Sequence, residues 1–293
     1  MKRTVYVGLS GGVDSATSAA LLKEQGYNVV GAFIKIWQPE FIECTWKKDR
    51  LDAMRIAVTL GIPFKEIDLS KEYQSEVVAS MLRSYASGET PNPDVLCNRV
   101  VKFGAFAKWA FEEGADIVAT GHYARIQNVH GRSELVRAID ESKDQSYFLH
   151  VLTSADLDKA LFPLGELTKV QVREKARVFG LPVATKPDSQ GLCFVGDVSM
   201  RDFLKRFIDV EAGSVMNIQD EIIGTHEGAA LYTIGQRHGF TVLKSMPDAT
   251  AYYVVAIDTK QNVITVSPNR SDAEVSRALV RDMHWISGEK PPS

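Results

Sequence analysis

Two hydrophobic periods alternate along the first two thirds of the chain. Short apolar runs at Thr4–Val7, Asn28–Trp37, Phe64–Leu69 and Ala115–Ala119, rich in Val, Ile and Phe, read as buried strands. Helical patterns lie between them. Ser15–Gln25 carries Ala16, Ala19, Ala20 and Leu22; Leu51, Met54 and Val58 mark a second helix, ended by Gly61-Ile62-Pro63; two long patterns follow near 71–87 and 99–113. Strands alternating with helices predict an α/β, Rossmann-like domain whose parallel sheet is covered on both faces. Its ligand belongs at the carboxyl ends of the strands. Near residue 205 the texture changes. Strand patterns at Ser214–Ile218, Tyr252–Ile257 and Val263–Val266, separated by Gly, Asp and Asn turns, predict a small β domain. Ala278–Ile286 reads as the start of another strand-like segment.

Composition narrows the class. The 293 residues suggest about two domains. With 45% hydrophobic and 24% charged residues the chain is an ordinary globular one, which excludes whole-chain disorder, collagen and coiled coil. No apolar run reaches the roughly 18 residues of a membrane span, and the N-terminus runs straight into a strand pattern without a signal-peptide core. A cytoplasmic protein with no membrane partner is expected. The net charge of -3 does not announce nucleic-acid binding, though it leaves room for a local basic face. Cys44, Cys97 and Cys193 are too few for a disulfide framework and too widely spaced for a C-x-x-C metal site, so no bound metal is expected.

The first strand ends in Gly8-Leu9-Ser10-Gly11-Gly12-Val13-Asp14-Ser15, and a helix follows. Glycines there let the backbone turn sharply and approach a ligand. The N–H groups and positive dipole end of the helix make an anion site, to which the Ser10 and Ser15 hydroxyls add donors. The string lacks the lysine of Walker A and the spacing of the dinucleotide fingerprint. A plain strand-to-helix turn is the simpler reading. The whole Ser-Gly-Gly-x-Asp-Ser string, however, resembles the pyrophosphate loop of N-type ATP pyrophosphatases, which activate a carbonyl oxygen as an adenylate.

Two further loops carry thiols. Thr90-Pro91-Asn92-Pro93-Asp94-Val95-Leu96-Cys97-Asn98 precedes a helix with Arg99, Lys102 and Lys108. The prolines predict an extended, rigid loop, and Cys97 is expected near a helix N-terminus with cations beside it, a setting that favours thiolate. Asp94 is a candidate general acid or base. Taken alone, Cys97 reads as a small buried hydrophobe and Asp94 as a cap. A second polar loop, Lys186-Pro187-Asp188-Ser189-Gln190-Gly191-Leu192-Cys193-Phe194, also ends in cysteine and favours paired sulfur chemistry. Cys44 has no comparable setting and is read as structural.

With Ala119-Thr120-Gly121-His122-Tyr123-Ala124-Arg125, Lys143-Asp144-Gln145-Ser146-Tyr147-Phe148-Leu149 and Tyr232-Thr233-Ile234-Gly235-Gln236-Arg237, these motifs stand in the order found in tRNA-specific 2-thiouridylases. The resemblance covers almost the whole chain. It implies an adenine nucleotide alpha hydrolase-like ATP pyrophosphatase domain over 1–204, a central β domain over 205–274 and the opening of a C-terminal β-barrel over 275–293, most of which is missing. It also implies ATP-dependent exchange of the 2-oxygen of a tRNA wobble uridine for sulfur, through an adenylated base and a cysteine persulfide. Gly8 to Ser15 would bind ATP with Mg2+, and Ile34 and Gly121 would contact the adenosine. Cys193 would take sulfur from a persulfide carrier protein, Cys97 would close a disulfide with it, and Asp94 would move protons. Asn92, Pro93 and Asp94 would hold the flipped base of the anticodon loop. His122, Lys143, Asp144 and Gln145 would contact tRNA.

Simpler readings accompany several of these residues. His122 could be a core histidine, Lys143-Asp144-Gln145 a solvated turn and Gln236-Arg237-His238 a turn cap. Lys169, Arg173 and Arg177, at helical spacing, read as a wet helix face. Ile34 stands where the family usually has methionine, and Asp220-Glu221 where it has a turn glycine. Two rival functions remain: an amidating ATP pyrophosphatase, which leaves the thiols unexplained, and an inactive tRNA-binding remnant, which leaves Asp94, Cys97 and Cys193 unexplained.

Overall fold

The computed structural model describes residues 2–42, 46–188, 198–243, 251–274, 280 and 283–290. They fall into two units, one built from residues up to Val77, from Pro93 onward and from the 283–290 tail, the other from Val78–Asn92 and the residues from 198 to 280.

The first unit holds a five-stranded parallel sheet. Its strands are β1 (Thr4–Gly8), β2 (Asn28–Lys35), β3 (Phe64–Asp68), β4 (Ile117–Ala119) and, after the hairpin β5 (Ala124–Val129) and β6 (Arg132–Arg137), β7 (Ala160–Leu161). The order is β3-β2-β1-β4-β7. The parallel sheet and both of its central crossovers follow the sequence reading; the hairpin and β7 do not, because short two-sided strands carry little periodic signal.

Helix α1 (Val13–Glu24) follows β1 and buries Ser15 through Leu22 without a break. Small side chains on every face let it sit against the sheet and against α4 (Lys169–Val178) at once. Helix α2 (Trp46–Leu60) forms where expected, but on the opposite face from the one the apolar markers suggested. Ala53, Ile56, Ala57 and Leu60 are buried, whereas Leu51 is 45% and Val58 81% exposed. Two alanines at i and i+4 allow a closer approach to the sheet than the larger residues would, and this packing overrides the Leu51–Val58 periodicity.

The two long helical patterns are interrupted by wider turns. The first appears as Ser70–Glu72, π-helical Tyr73–Val78 and Ala79–Ala86. The second, α3, begins at Pro93, passes through π-helical turns at Asn98–Ala105 and ends at Glu112. Pro93 therefore opens a helix instead of extending a loop, in keeping with the tolerance for proline at a first helical position.

In the second unit β8 (Gly213–Met216), β9 (Ile222–His226), β10 (Thr241–Val242), β11 (Tyr253–Asp258) and β12 (Val263–Ser267) form a sheet ordered β10-β9-β8-β12-β11. Only the β8–β12 pair is parallel among the described strands. Asp220 takes the left-handed conformation, φ 62°, at the turn between β8 and β9. The Asn217 carboxamide oxygen accepts the Gln219 and Glu221 N–H groups there, so side-chain bonding holds a turn that glycine would enter without strain. The strand expected at Ala278–Ile286 is not found where it is described. Residues 283–286 are irregular, and the Ile286 carbonyl accepts the Ser154 N–H of a short helix at 2.9 Å instead of pairing in a sheet; the rest of that stretch, Val280 apart, lies outside the described residues.

The face of α2 gives a direct test. Ile56→Ala should cost about 2–5 kcal/mol in urea unfolding, while Val58→Ala should stay within about 0.5 kcal/mol of the parent.

Candidate active site

Between β1 and β4 the strand order reverses, which leaves a crevice at their carboxyl ends. The loop from Gly8 to Ser15 leaves β1 there. Its root is fixed by Leu9, whose N–H donates to the Ala32 carbonyl at 2.7 Å and whose side chain is buried against Gly31. Gly11 turns the chain at φ +75°, and any Cβ on it would collide with the Asp49 carbonyl of α2. Gly12 caps α1 through backbone alone. The Ser15 hydroxyl accepts the Ser10 N–H at 3.1 Å and donates to the Gly12 carbonyl at 3.2 Å, closing the loop on itself. Val13 is buried, so the first-turn N–H groups of α1 stand over a fixed base.

Gly121 approaches from the end of β4. A Cβ on it would lie 2.8 Å from the Ser15 nitrogen and 2.9 Å from the Asp14 carbonyl carbon. Ile34, at the end of β2, has its Cδ1 3.8 Å from where a Gly8 Cβ would stand, so it faces the same end of the sheet.

Charged side chains from residues 169–188 hold this loop. The Lys186 ammonium donates to the Gly11 carbonyl at 3.0 Å, Asp49 at 2.9 Å and Asp52 at 2.9 Å. Burial works to lower its pKa, but the hydrogen bonds from Asp52 and Asp49 outweigh it and the net shift is upward. Lys169 donates to both oxygens of Asp14 at 2.8 and 2.9 Å and pairs with Asp188 at 2.8 Å. Asp188 also holds Arg173 at 2.7 Å and Lys143 at 3.4 Å. Burial opposes its ionisation, but the Lys169 hydrogen bond and charge, helped by Lys143 and Arg173, keep its carboxyl below the usual range. The Tyr123 hydroxyl donates to Asp14 at 2.9 Å; burial and the Asp14 charge raise the phenol far above its ordinary value, so it stays a donor.

Asp94 and Cys97 both lie on α3 and are half-buried. Cys97 is the last residue of the Pro93–Cys97 segment, past the first turn, so the helix dipole favours its thiolate less than the expected N-terminal position would. Burial raises the Asp94 carboxyl, with the Lys102 charge opposing. Lys102, further along α3, has its Nζ 3.4 Å from His122 Nε2, and Thr120 Oγ1 lies 2.7 Å from His122 Nδ1. His122 is 9% exposed and packs against Phe103 and Phe162. Burial, then Lys102, drives its pKa well below the ordinary value, so the ring is neutral. Asn98 ties α3 to the following segment by donating to the Phe148 carbonyl at 2.9 Å.

The other expected tRNA contacts are engaged within the protein. Asp144 accepts the Ala138 N–H at 2.8 Å and the Ser146 hydroxyl at 2.8 Å, and Gln145 accepts the Tyr123 N–H at 3.0 Å. Asn92 lies in the second unit. There the Gln236 side chain bridges Thr233 and His238 across a turn. Cys193 and Cys44 lie outside the described residues, as does the Ser189–Phe194 part of the second thiol loop. Among the described residues no cluster of three or more His, Cys, Asp or Glu side chains forms a metal site, and no helix is long and apolar enough to cross a membrane.

The sequence reading named Lys102 beside Cys97 and quoted Tyr123, Lys186 and Asp188 within its motifs, but it did not foresee the charge network that joins them, with Lys169 and Arg173, around Asp14, Gly11 and His122. Lys169 and Arg173 are not a wet face: their side chains are 13% and 25% exposed and ion-paired. One signal was available for Lys169. It is the first residue of a helix already capped by the Thr168–Gln171 box, where a cation works against the dipole.

Residues 3–197 match the family model described as tRNA methyl transferase HUP domain, and residues 201–268 match the tRNA methyl transferase PRC-barrel domain. The tRNA-specific 2-thiouridylase MnmA of Ralstonia pickettii is 44% identical over 99% of this chain and 80% of that protein. The protein of the same name from Methylobacillus flagellatus is 43% identical, over 99% of this chain and 82% of its own length.

Close approach by Gly121 is testable. Gly121→Ala should weaken binding of a non-hydrolysable ATP analogue at least tenfold, because the added methyl must displace backbone. Calorimetric titration measures this, and an unchanged circular dichroism spectrum would separate it from unfolding.

Proposed function

This chain belongs to the tRNA-specific 2-thiouridylase family, and on that premise we propose that it catalyses ATP-dependent 2-thiolation of uridine in tRNA. The observation that carries the proposal is the loop after β1, closed by its serines, clamped by Lys186 and faced by Gly121 at the switch point of a parallel sheet. This is a backbone cradle for a phosphate chain, and methyl transfer from a sulfonium donor has no use for one.

In this reading the loop holds MgATP so that the α-phosphorus faces the uridine 2-oxygen. Attack by that oxygen breaks the bond to the β-phosphate, releases pyrophosphate and leaves the base adenylated. Cys193 carries sulfur as a persulfide received from a carrier protein. Its outer sulfur bonds to C2 of the base, AMP departs with the former 2-oxygen, and the Cys97 thiolate attacks the inner sulfur. Alternatively, Cys97 first releases the outer sulfur as sulfide, which then attacks C2. Both routes leave a Cys97–Cys193 disulfide, reset by a thiol reductant.

Asp94 suits proton movement because burial raises its carboxyl towards working pH. Neutral His122 positions Lys102 on the same helix. Asn92, Pro93 and Asp94 contact the extruded base, and Lys143 contacts tRNA. The domain assignment follows the family, with the catalytic domain over 1–204, the β domain over 205–274 and a barrel beginning at 275. The setting is the cytoplasm, where tRNA and ATP are available.

The proposal is tested with purified protein, MgATP, tRNA and a persulfide carrier, with 2-thiouridine read by mass spectrometry. Cys97→Ser and Cys193→Ser should each abolish the product, while pyrophosphate release survives in Cys193→Ser because activation precedes sulfur attack. Cys44→Ser should be silent. A parent protein that forms no 2-thiouridine would refute the thiolation reading.

A further inference from the structure

Lys169 is placed at a cost to the helix it begins. A cation at the first position of α4 opposes the helix dipole. The Thr168–Gln171 capping box already satisfies that terminus. A long side chain held at 13% exposure has also given up rotamer freedom. Little of this serves stability, since partly buried ion pairs seldom exceed their desolvation cost. What the placement achieves is an ammonium shared between Asp14, at the start of α1 beside the phosphate loop, and Asp188.

The loop itself, Gly8 to Ser15, contains no cation. Lys186 lies close, but its ammonium is committed to the Gly11 carbonyl, Asp49 and Asp52. Asp14 also poses a problem for a phosphate ligand, because its carboxylate stands at the same helix N-terminus that would receive the anion. Lys169 neutralises it.

We propose that Lys169 is the phosphate-binding cation of this site, parked on Asp14 and Asp188 until MgATP arrives. On binding, the Mg2+ that accompanies the nucleotide takes over Asp14, and the Lys169 ammonium moves to a β- or γ-phosphate oxygen while Asp188 retains it. Tyr123 keeps its hydrogen bond to Asp14 and orients that carboxylate for the metal. No covalent bond changes in this step: the ammonium exchanges one anionic partner, Asp14, for another, the phosphate, and Asp14 exchanges the ammonium for the divalent ion the nucleotide brings. The inference rests on the ATP-using reading above and adds the residue that distinguishes a triphosphate from a shorter nucleotide.

A cation serving phosphates should matter according to their number. Lys169→Met should weaken a non-hydrolysable MgATP analogue by about tenfold or more, the scale of one charge-assisted hydrogen bond, and weaken AMP by a clearly smaller factor, because a monophosphate loses only the neutralisation of Asp14. Lys169→Arg, which keeps the charge, should bind the analogue nearly as the parent does. Arg177→Met removes a cation from the exposed side of the same helix, touches neither Asp14 nor Asp188, and should leave analogue affinity within about threefold. Calorimetry with both ligands reads all of these. Equal losses for AMP and the analogue in Lys169→Met, or parental affinity for both, would overturn the proposal. If Lys169→Met does not fold, Lys169→Arg and Lys169→Gln carry the same comparison, and analogue binding equal in the two would overturn it. Failure of the parent to bind the analogue at all would instead refute the ATP-using reading, which separates the two ideas.

Discussion

Everything at the carboxyl end of the sheet depends on one ammonium group held against one backbone carbonyl. Gly11 enters the left-handed region as the loop turns, and its carbonyl accepts from outside the loop. Lys186 supplies the missing donor and brings Asp49 and Asp52 of α2 with it. This fixes the loop to α2 from behind and leaves its N–H side facing the crevice. The same contact fixes where the chain runs next, because Arg173 donates to the Lys186 carbonyl and to Asp188. Loop, helix and the root of the second thiol loop are thus one electrostatic assembly.

The parallel sheet could be read from the chain because a doubly covered strand writes itself as an unbroken apolar run, and Val5, Val7, Val29 and Phe33 are buried as such a run requires. The tight turn after β1 was legible for a similar reason: sharp turns and close approaches admit few residues, so Gly11 and Gly121 stand out. The face of α2 was not legible. Ala53 and Ala57 pack by being small, and smallness leaves a weaker mark on periodicity than Leu51 or Val58. The π-helical turns of α3 were equally hidden, since an extra residue in a turn needs no special composition.

Charge partnerships were the largest omission. Lys169 and Asp14 are far apart in sequence, and nothing local distinguishes a lysine on a wet face from one bound to a distant carboxylate. Only the mismatch between Lys169 and its helix terminus hinted at it. His122 shows another side of this: the resemblance made it a tRNA contact and the simpler reading a core histidine, and its ring lies neutral and buried against Phe103 and Phe162 with Lys102 at Nε2.

The distance along the chain between Lys186 and Gly11 has a consequence for synthesis. The loop is made within the first residues, but the lysine that secures it follows 175 positions later. At about 5–20 residues per second, a nascent chain waits roughly 10–35 s between the two. Through that interval the glycine turn lacks its outside donor, and α1 lacks α4, against which it is buried. The loop is completed late, after most of the parallel sheet has left the ribosome, and a chain stalled before residue 186 would carry it with its own serine bonds but without the clamp that ties it to α2.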